Sequence, residues 1–168
     1  VTREGVISQS DVDRAVNKKV VLFVCTGNSC RSVMAEYLLK NKLVGREDVE
    51  VISAGTNVYF KSAASQETIA VLRQKGINAA MHISRPLGRT MLRKADLIFA
   101  MTRSHRAQVL DYVPYVEQRV YLLKEFCHRT PGHEGDLVVP DPIGQSFVHY
   151  EECMLDINQA IERIVELL

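Results

Sequence analysis

Residues 20–24, Val-Val-Leu-Phe-Val, run without a polar side chain straight into Cys25-Thr26-Gly27-Asn28-Ser29-Cys30-Arg31-Ser32, and a helical pattern takes over near Val33. A thiol and a guanidinium therefore bracket a strand-to-helix turn. In such a turn the N–H groups of the loop and of the first helical turn can converge on one point, with the positive end of the helix dipole behind them. The segment reads as a cradle for an anion of the phosphate type with a nucleophile set in it.

The residue types fit that use. A cysteine among inward-pointing amides, near Arg31 and at a helix N-terminus, is in surroundings that favour thiolate over thiol. Arg31 can place two parallel donors on the equatorial oxygens of a phosphoryl group and neutralise charge in its transition state. Gly27 is expected to supply backbone angles or a close approach that a side chain would forbid. Asn28 is expected to brace the loop by bonding its backbone, and Ser32 to donate to the thiolate. Two other readings begin from the same residues. A buried core thiol at a strand end would need none of these neighbours. A nucleotide-binding loop would carry the lysine of G-x-x-x-x-G-K-[ST] or a G-x-G-x-x-G pattern, and neither is present.

Further along, strand patterns at 20–24, 49–53, 97–100 and 119–122 alternate with helical patterns at 32–42, 65–75 and 103–112. Such alternation implies parallel strands joined by right-handed crossovers, with the ligand beyond the carboxyl ends of the strands near a switch in strand order. Cys25 stands at such an end. A last helix, 147–168, carries Met154, Ile157, Ile161, Ile164, Val165 and Leu168 at three-to-four spacing, a stripe that should cover the sheet. With 46% hydrophobic residues in 168 and a net charge of +1, one compact domain with an ample core is expected, and no basic patch argues for nucleic acid. No apolar run reaches membrane-spanning length and no signal-peptide pattern opens the chain, so cytoplasm is the default compartment. Cys25, Cys30, Cys127 and Cys153 form no evident disulfide framework, which fits a reducing environment.

The stretch V-C-T-G-N-S-C-R-S followed by a helix resembles the low-molecular-weight protein tyrosine phosphatase family, over roughly 19–168. Ser53-Ala54-Gly55-Thr56, the run from Ala95 through Thr102, Leu123-Lys124-Glu125, and Asp141-Pro142 with Gly144 are similar in order and combination. The resemblance implies a single three-layer α/β domain with a four-stranded parallel sheet flanked by helices, no metal or other cofactor, and a cysteinyl-phosphate intermediate. It makes Cys25 the nucleophile, Arg31 the phosphoryl-binding cation and Asp141 the general acid that later activates water. Thr26, Gly27, Asn28, Ser29, Cys30 and Ser32 would complete the substrate cradle, and Ser53 and His82 would tie the loop asparagine to the body of the domain. Val33 departs from the family, which usually has proline there to preorganise the first helical turn.

Substrate class rests on Ser29 and Ile143. Tyrosine phosphatases of this family usually carry a larger apolar residue at the first position and an aromatic pair after Asp-Pro, to grip a flat phenol. The bacterial arginine phosphatase branch has a threonine at the first position and continues Asp-Pro-aromatic-Gly. Ser29 keeps the hydroxyl and Gly144 matches, while Ile143 replaces the aromatic. Phosphoarginine in a protein is therefore the favoured substrate, with phosphotyrosine the alternative; Tyr59 and Phe60 could wall the cleft for either. An arsenate reductase, which needs further relay cysteines, and a non-catalytic phosphate-binding module are the remaining readings. Cys30 could close a reversible disulfide with Cys25 or simply fill space. Zinc on Cys127, His128 and His133 together with Cys25 and Cys30 would take loop cysteines that have a better use and would lack the spacing of a common finger, and His105 has weaker support than His82 for a place in the network, with a solvent-facing position as the alternative. Residues 1–18 stand outside the phosphatase pattern. Val1-Thr2-Arg3-Glu4-Gly5-Val6-Ile7-Ser8 and the acidic run after it are similar to the end of a threonylcarbamoyl-adenylate synthase domain, so a covalent fusion to such a domain is expected, with a cloning or processing boundary as the alternative.

Overall fold

The computed structural model describes residues 18–126 and 137–168. The alternation of strand and helix resolves into β1 (Lys19–Cys25), α1 (Arg31–Lys42), β2 (Val49–Gly55), α2 (Gln66–Gln74), α3 (Arg89–Lys94), β3 (Leu97–Ala100), α4 (Arg103–Tyr112), β4 (Val120–Leu122) and α5 (Phe147–Leu167), with short 3₁₀ turns at Pro114–Arg119 and Leu123–Phe126. All four strands are parallel, in the order β2-β1-β3-β4. The chain steps from β1 outward to β2 and then returns to the other side of β1 for β3. The carboxyl ends of β1 and β3 thus flank the switch in strand order, where open α/β sheets bind ligands.

β1 is central, and its alternating side chains feed two cores. Val21, Phe23 and Cys25 point into a core with Met34 and Leu38 of α1 and Cys153, Ile157 and Ile161 of α5. Val20, Leu22 and Val24 join Leu92, Val109 and Val116 on the opposite face. This is the period-two alternation of a strand buried from both sides, as a three-layer fold requires. The stripe read for the last helix covers the sheet as expected, with Met154, Ile157, Ile161 and Ile164 buried and Val165 and Leu168 packed at its edge. Val33, where proline was missing, is fully buried against Ala64 and Ile69 and so has a packing role of its own.

Two features depart from the sequence reading. α3 was not anticipated, because Arg-Thr-Met-Leu-Arg-Lys is polar at every position but two and buries only Leu92. β2 extends two residues further, to Gly55, where Ala54 and Gly55 pair with Val24 and Cys25 of β1; Gly55 also bridges to the segment at Pro86, its N–H donating to the Arg85 carbonyl and the Leu87 N–H to that of Gly55. Residues 1–17, and with them almost all of the tail similar to a synthase domain, lie outside the described residues. Among the described residues no helix is long and apolar enough to cross a membrane.

Ile157 is fully buried and Leu155, two residues away on the same helix, is more than half exposed. Ile157→Ala is expected to lower the unfolding free energy by about 2–5 kcal/mol, and Leu155→Ala by no more than about 0.5 kcal/mol, in urea titrations.

Candidate active site

β1 ends at Cys25, which is almost fully buried, and α1 begins at Arg31. The intervening loop cannot satisfy its own N–H groups, and the first turn of α1 carries no side-chain cap, so the donors of that turn remain available to an anion. Asn28 is the pivot. It holds a left-handed backbone conformation, φ 52°, which asparagine tolerates better than most residues. Its side-chain amide donates to Ser32 Oγ at 2.9 Å and to Ser53 Oγ at 2.8 Å, while its Oδ1 accepts the Arg85 N–H at 3.0 Å. Asn28 therefore braces the loop through its neighbours rather than through its own backbone, as the sequence had led one to expect.

That network favours one direction for a proton. Ser32 Oγ accepts from Asn28, so the Ser32 hydroxyl has its hydrogen free for Cys25 Sγ, 2.9 Å away. The chain of bonds continues outward: the Ser53 hydroxyl donates to the Glu36 carboxylate, which also faces the Lys40 ammonium and, at 3.7 Å, the Arg85 guanidinium. His82 donates from Nε2 to the Asn28 carbonyl at 3.0 Å, and its Nδ1 lies 3.9 Å from Glu36. Burial pushes the His82 ring below the ordinary imidazole range, against the Asn28 carbonyl and the Glu36 carboxylate, which both favour the charged form. Ser53 and His82 both contact Asn28, one at its side chain and the other at its carbonyl. Glu36, nearly devoid of solvent contact, was missed; its only signal was a charge among the buried positions Met34, Ala35, Leu38 and Leu39 of α1.

Within the protein itself, Gly27 shows neither a left-handed backbone nor a close approach. Its φ is not positive, and an added Cβ would meet only Ser29 Oγ at 3.6 Å. The glycine that permits a close approach is Gly55 at the end of β2, where a Cβ would lie 2.4 Å from the Thr26 carbonyl oxygen and 2.9 Å from the Asn28 nitrogen. The phosphate loop is laid directly over Gly55, clamped there by the Thr56 N–H on the Cys25 carbonyl and the Asn57 N–H on that of Thr26.

Arg31 and Asp141 meet at the mouth. The Arg31 guanidinium, 4% exposed, donates to the Val139 carbonyl at 3.1 Å and to Asp141 Oδ2 at 2.8 Å. Asp141 is held by its own loop as well: its Oδ1 accepts the Ile143 N–H at 3.2 Å, and the Gln145 N–H closes a turn onto the Pro142 carbonyl with Gly144 at φ 75°. A turn with a positive φ at its third position needs glycine or asparagine, which accounts for Gly144. Ser29 lies partly exposed on the rim, its hydroxyl 3.6 Å from Cys30 Sγ. Cys30 in turn bonds Ser65 at 3.4 Å and lies 3.9 Å from the hydroxyl of Tyr150. Burial and the Cys30 neighbour push the Tyr150 phenol up to about 12. Cys25, Cys30 and Cys153 are free thiols, and burial pushes Cys153 up to about 12.

His105 is not on the surface. It is 4% exposed and reaches the loop, with Nε2 at 2.8 Å from Thr26 Oγ1 and Nδ1 at 2.9 Å from Thr102 Oγ1. Burial and the nearby Arg31 hold its ring down to about 4 despite the opposing Asp141. Tyr59 and Phe60 are 80% and 86% exposed and form no closed wall. Cys127, His128 and His133 lie outside the described residues, and among the described residues no group of histidine, cysteine and carboxylate side chains could hold a metal.

Comparison with known proteins places this geometry. Residues 20–168 match the family model described as low molecular weight phosphotyrosine protein phosphatase. A protein-arginine-phosphatase from Geobacillus stearothermophilus is 37% identical over 148 residues, 88% of this chain and 95% of that protein. Among solved structures, a low molecular weight protein tyrosine phosphatase from T. tengcongensis superposes with a TM-score of 0.80 at 35% identity, covering 90% of this chain and all of its own. A cysteine-to-serine mutant of the YwlE arginine phosphatase with a phosphorylated active-site serine gives 0.78 at 31% identity, covering 89% and 95%.

Because both atoms that a Gly55 side chain would meet within 3 Å on the loop are backbone, the loop itself must shift to admit one. Gly55→Ala is expected to fold, by circular dichroism, yet to lose about 10²-fold in kcat/KM on para-nitrophenyl phosphate.

Proposed function

The chain belongs to the low molecular weight phosphotyrosine protein phosphatase family, and from that premise we propose that its substrate is phosphoarginine in proteins, turned over through a phosphocysteine on Cys25. The phosphoryl group sits in the loop with its phosphorus in line with Cys25 Sγ. The thiolate attacks, the P–N bond breaks, and Asp141 gives its proton to the leaving guanidine nitrogen. Arg31 and the loop amides carry the charge that builds on the equatorial oxygens. Ser32 donates to the sulfur, first as attacking thiolate and then as the leaving group of the second step. In that step Asp141, now carboxylate, takes a proton from the water that attacks the phosphocysteine, and inorganic phosphate is released.

The observation that carries the choice of substrate is the small hydroxyl of Ser29 on the rim of the loop. A larger apolar side chain there would offer a surface to a flat phenol, whereas serine leaves room and a hydrogen-bonding group for a planar cation. Ile143, more than half exposed after Asp-Pro, and the solvent-facing Tyr59 and Phe60 provide no aromatic slot in compensation. Asp141 already lies 2.8 Å from one guanidinium nitrogen, that of Arg31, so in its protonated form its carboxyl group is suited to pair with the leaving guanidine nitrogen and hand it the proton. The arginine phosphatase among the relatives supports the same reading.

An arsenate reductase would need a thiolate beyond the loop to relay a disulfide outward. Cys153, with its proton held tightly by burial, is a poor candidate.

The test is kcat/KM on a phosphoarginine protein and a phosphotyrosine peptide side by side at neutral pH, with Ser29→Thr and Ser29→Ile. The parent and Ser29→Thr are expected to prefer phosphoarginine, and Ser29→Ile to shift the ratio toward phosphotyrosine by about 10- to 200-fold. A parent that prefers phosphotyrosine would overturn the assignment.

A further inference from the structure

The side of the loop facing Ser53 and His82 is held by Asn28; the opposite side, over the crevice between β1 and β3, is held by a residue that the chemistry above does not use. We propose that His105 is a positioning residue, a neutral imidazole that ties Thr26, the residue after the nucleophile, to the N-terminus of α4 and so sets the first turn of the phosphate loop.

The geometry is specific to the loop. Thr102 is the residue that caps α4: its Oγ1 accepts the His105 N–H at 3.2 Å and lies 2.9 Å from His105 Nδ1. With Thr102 Oγ1 accepting from the backbone, we assign its own hydrogen to Nδ1. That assignment makes Nδ1 the acceptor and Nε2 the N–H, which donates to Thr26 Oγ1 at 2.8 Å. The Thr26 hydroxyl then keeps its own hydrogen, free to be donated into the crevice of about 470 Å³ that Thr26 lines with Arg31, Asn57 and Thr102.

Thr26 itself faces solvent and its carbonyl is already tied to Asn57, so nothing about packing requires its hydroxyl to be held. A buried ring that served packing alone could have satisfied Nε2 on any carbonyl of the body. Here it spends that bond on the turn that aims the loop amides. Burial and Arg31 keep the ring in the neutral form that this donor and acceptor pattern demands. Besides the clamps on its carbonyls, the loop is thereby held through two side chains, Thr26 toward α4 and Asn28 toward β2.

The inference concerns the loop common to every phosphoryl substrate, so its test uses para-nitrophenyl phosphate and does not depend on the phosphoarginine reading. Thr26→Val removes the hydroxyl; Thr26→Ser keeps it. His105→Asn can keep the bond to Thr102 but falls short of Thr26. With rates referred to titrated active sites, Thr26→Val and His105→Asn are each expected to lower kcat by about 3- to 10-fold, the loss that one hydrogen bond supports. Each should weaken inhibition by vanadate, which mimics the transition state, more than inhibition by phosphate. Thr26→Ser should recover most of the loss, and the double variant Thr26→Val with His105→Asn should be no slower than the slower single variant. Unchanged kcat and vanadate affinity in Thr26→Val, no recovery in Thr26→Ser, or losses that multiply in the double variant would each overturn the proposal. If His105→Asn fails to fold, the comparison of Thr26→Val with Thr26→Ser decides alone.

Discussion

A loop that turns successive amide N–H groups toward one point sets like dipoles against one another and offers them no partner, so it collapses unless something outside holds it open. Here the holding falls on Asn28. Its left-handed backbone creates the turn, its amide nitrogen reaches Ser32 and Ser53, its amide oxygen takes the Arg85 N–H, and its carbonyl takes His82. Those bonds connect the loop to α1, to β2 and to the segment after α2. The same amide that braces the loop also donates to Ser32 Oγ, which leaves the Ser32 hydrogen free for Cys25, so one side chain bears on both the architecture of the loop and the surroundings of Cys25.

The sheet makes that arrangement possible. β1 has its alternate side chains in two cores and has little freedom to move, and its last residue is Cys25, the proposed nucleophile. β2 ends beside it on Gly55, whose missing side chain allows the loop backbone to lie flat against the strand end. α1 carries its positive end toward the same point and is fixed against α5 through Met34 and Leu38. Asp141, the proposed general acid, arrives from the far side of the chain, and Arg31 joins the two halves of the site by bonding its loop at Val139 and Asp141. Since the Asp141 side chain is 42% exposed, that ion pair is worth more as a positioning contact than as a source of stability.

Much of this was legible in the letters. The strands, the crossovers and the covering face of α5 follow from periodicity, and Cys25, Arg31, Ser32 and Asp141 follow from the chemistry of the loop and its family resemblance. What stayed hidden was whatever depends on residues distant in sequence meeting in space. His105 reads as a polar residue in the first turn of a helix, and nothing local says that its ring reaches 79 positions back to Thr26. Glu36 is one charge inside an apolar stripe, a weak signal until Ser53 and Arg85 are seen around it. Gly27 and Gly55 are both glycines beside a loop, and only the folded backbone shows which one a side chain would obstruct. α3 was lost because a six-residue helix with one buried residue has almost no periodicity to detect.

If phosphoryl transfer passes through Cys25, the phosphocysteine can be trapped. With Asp141→Asn, which slows hydrolysis of the intermediate, a rapid acid quench followed by mass spectrometry is predicted to find one phosphoryl group on the peptide containing Cys25, matched by a burst of about one equivalent of leaving group per active site. Release of phosphate with no label on Cys25, together with turnover that survives Cys25→Ser, would contradict the account.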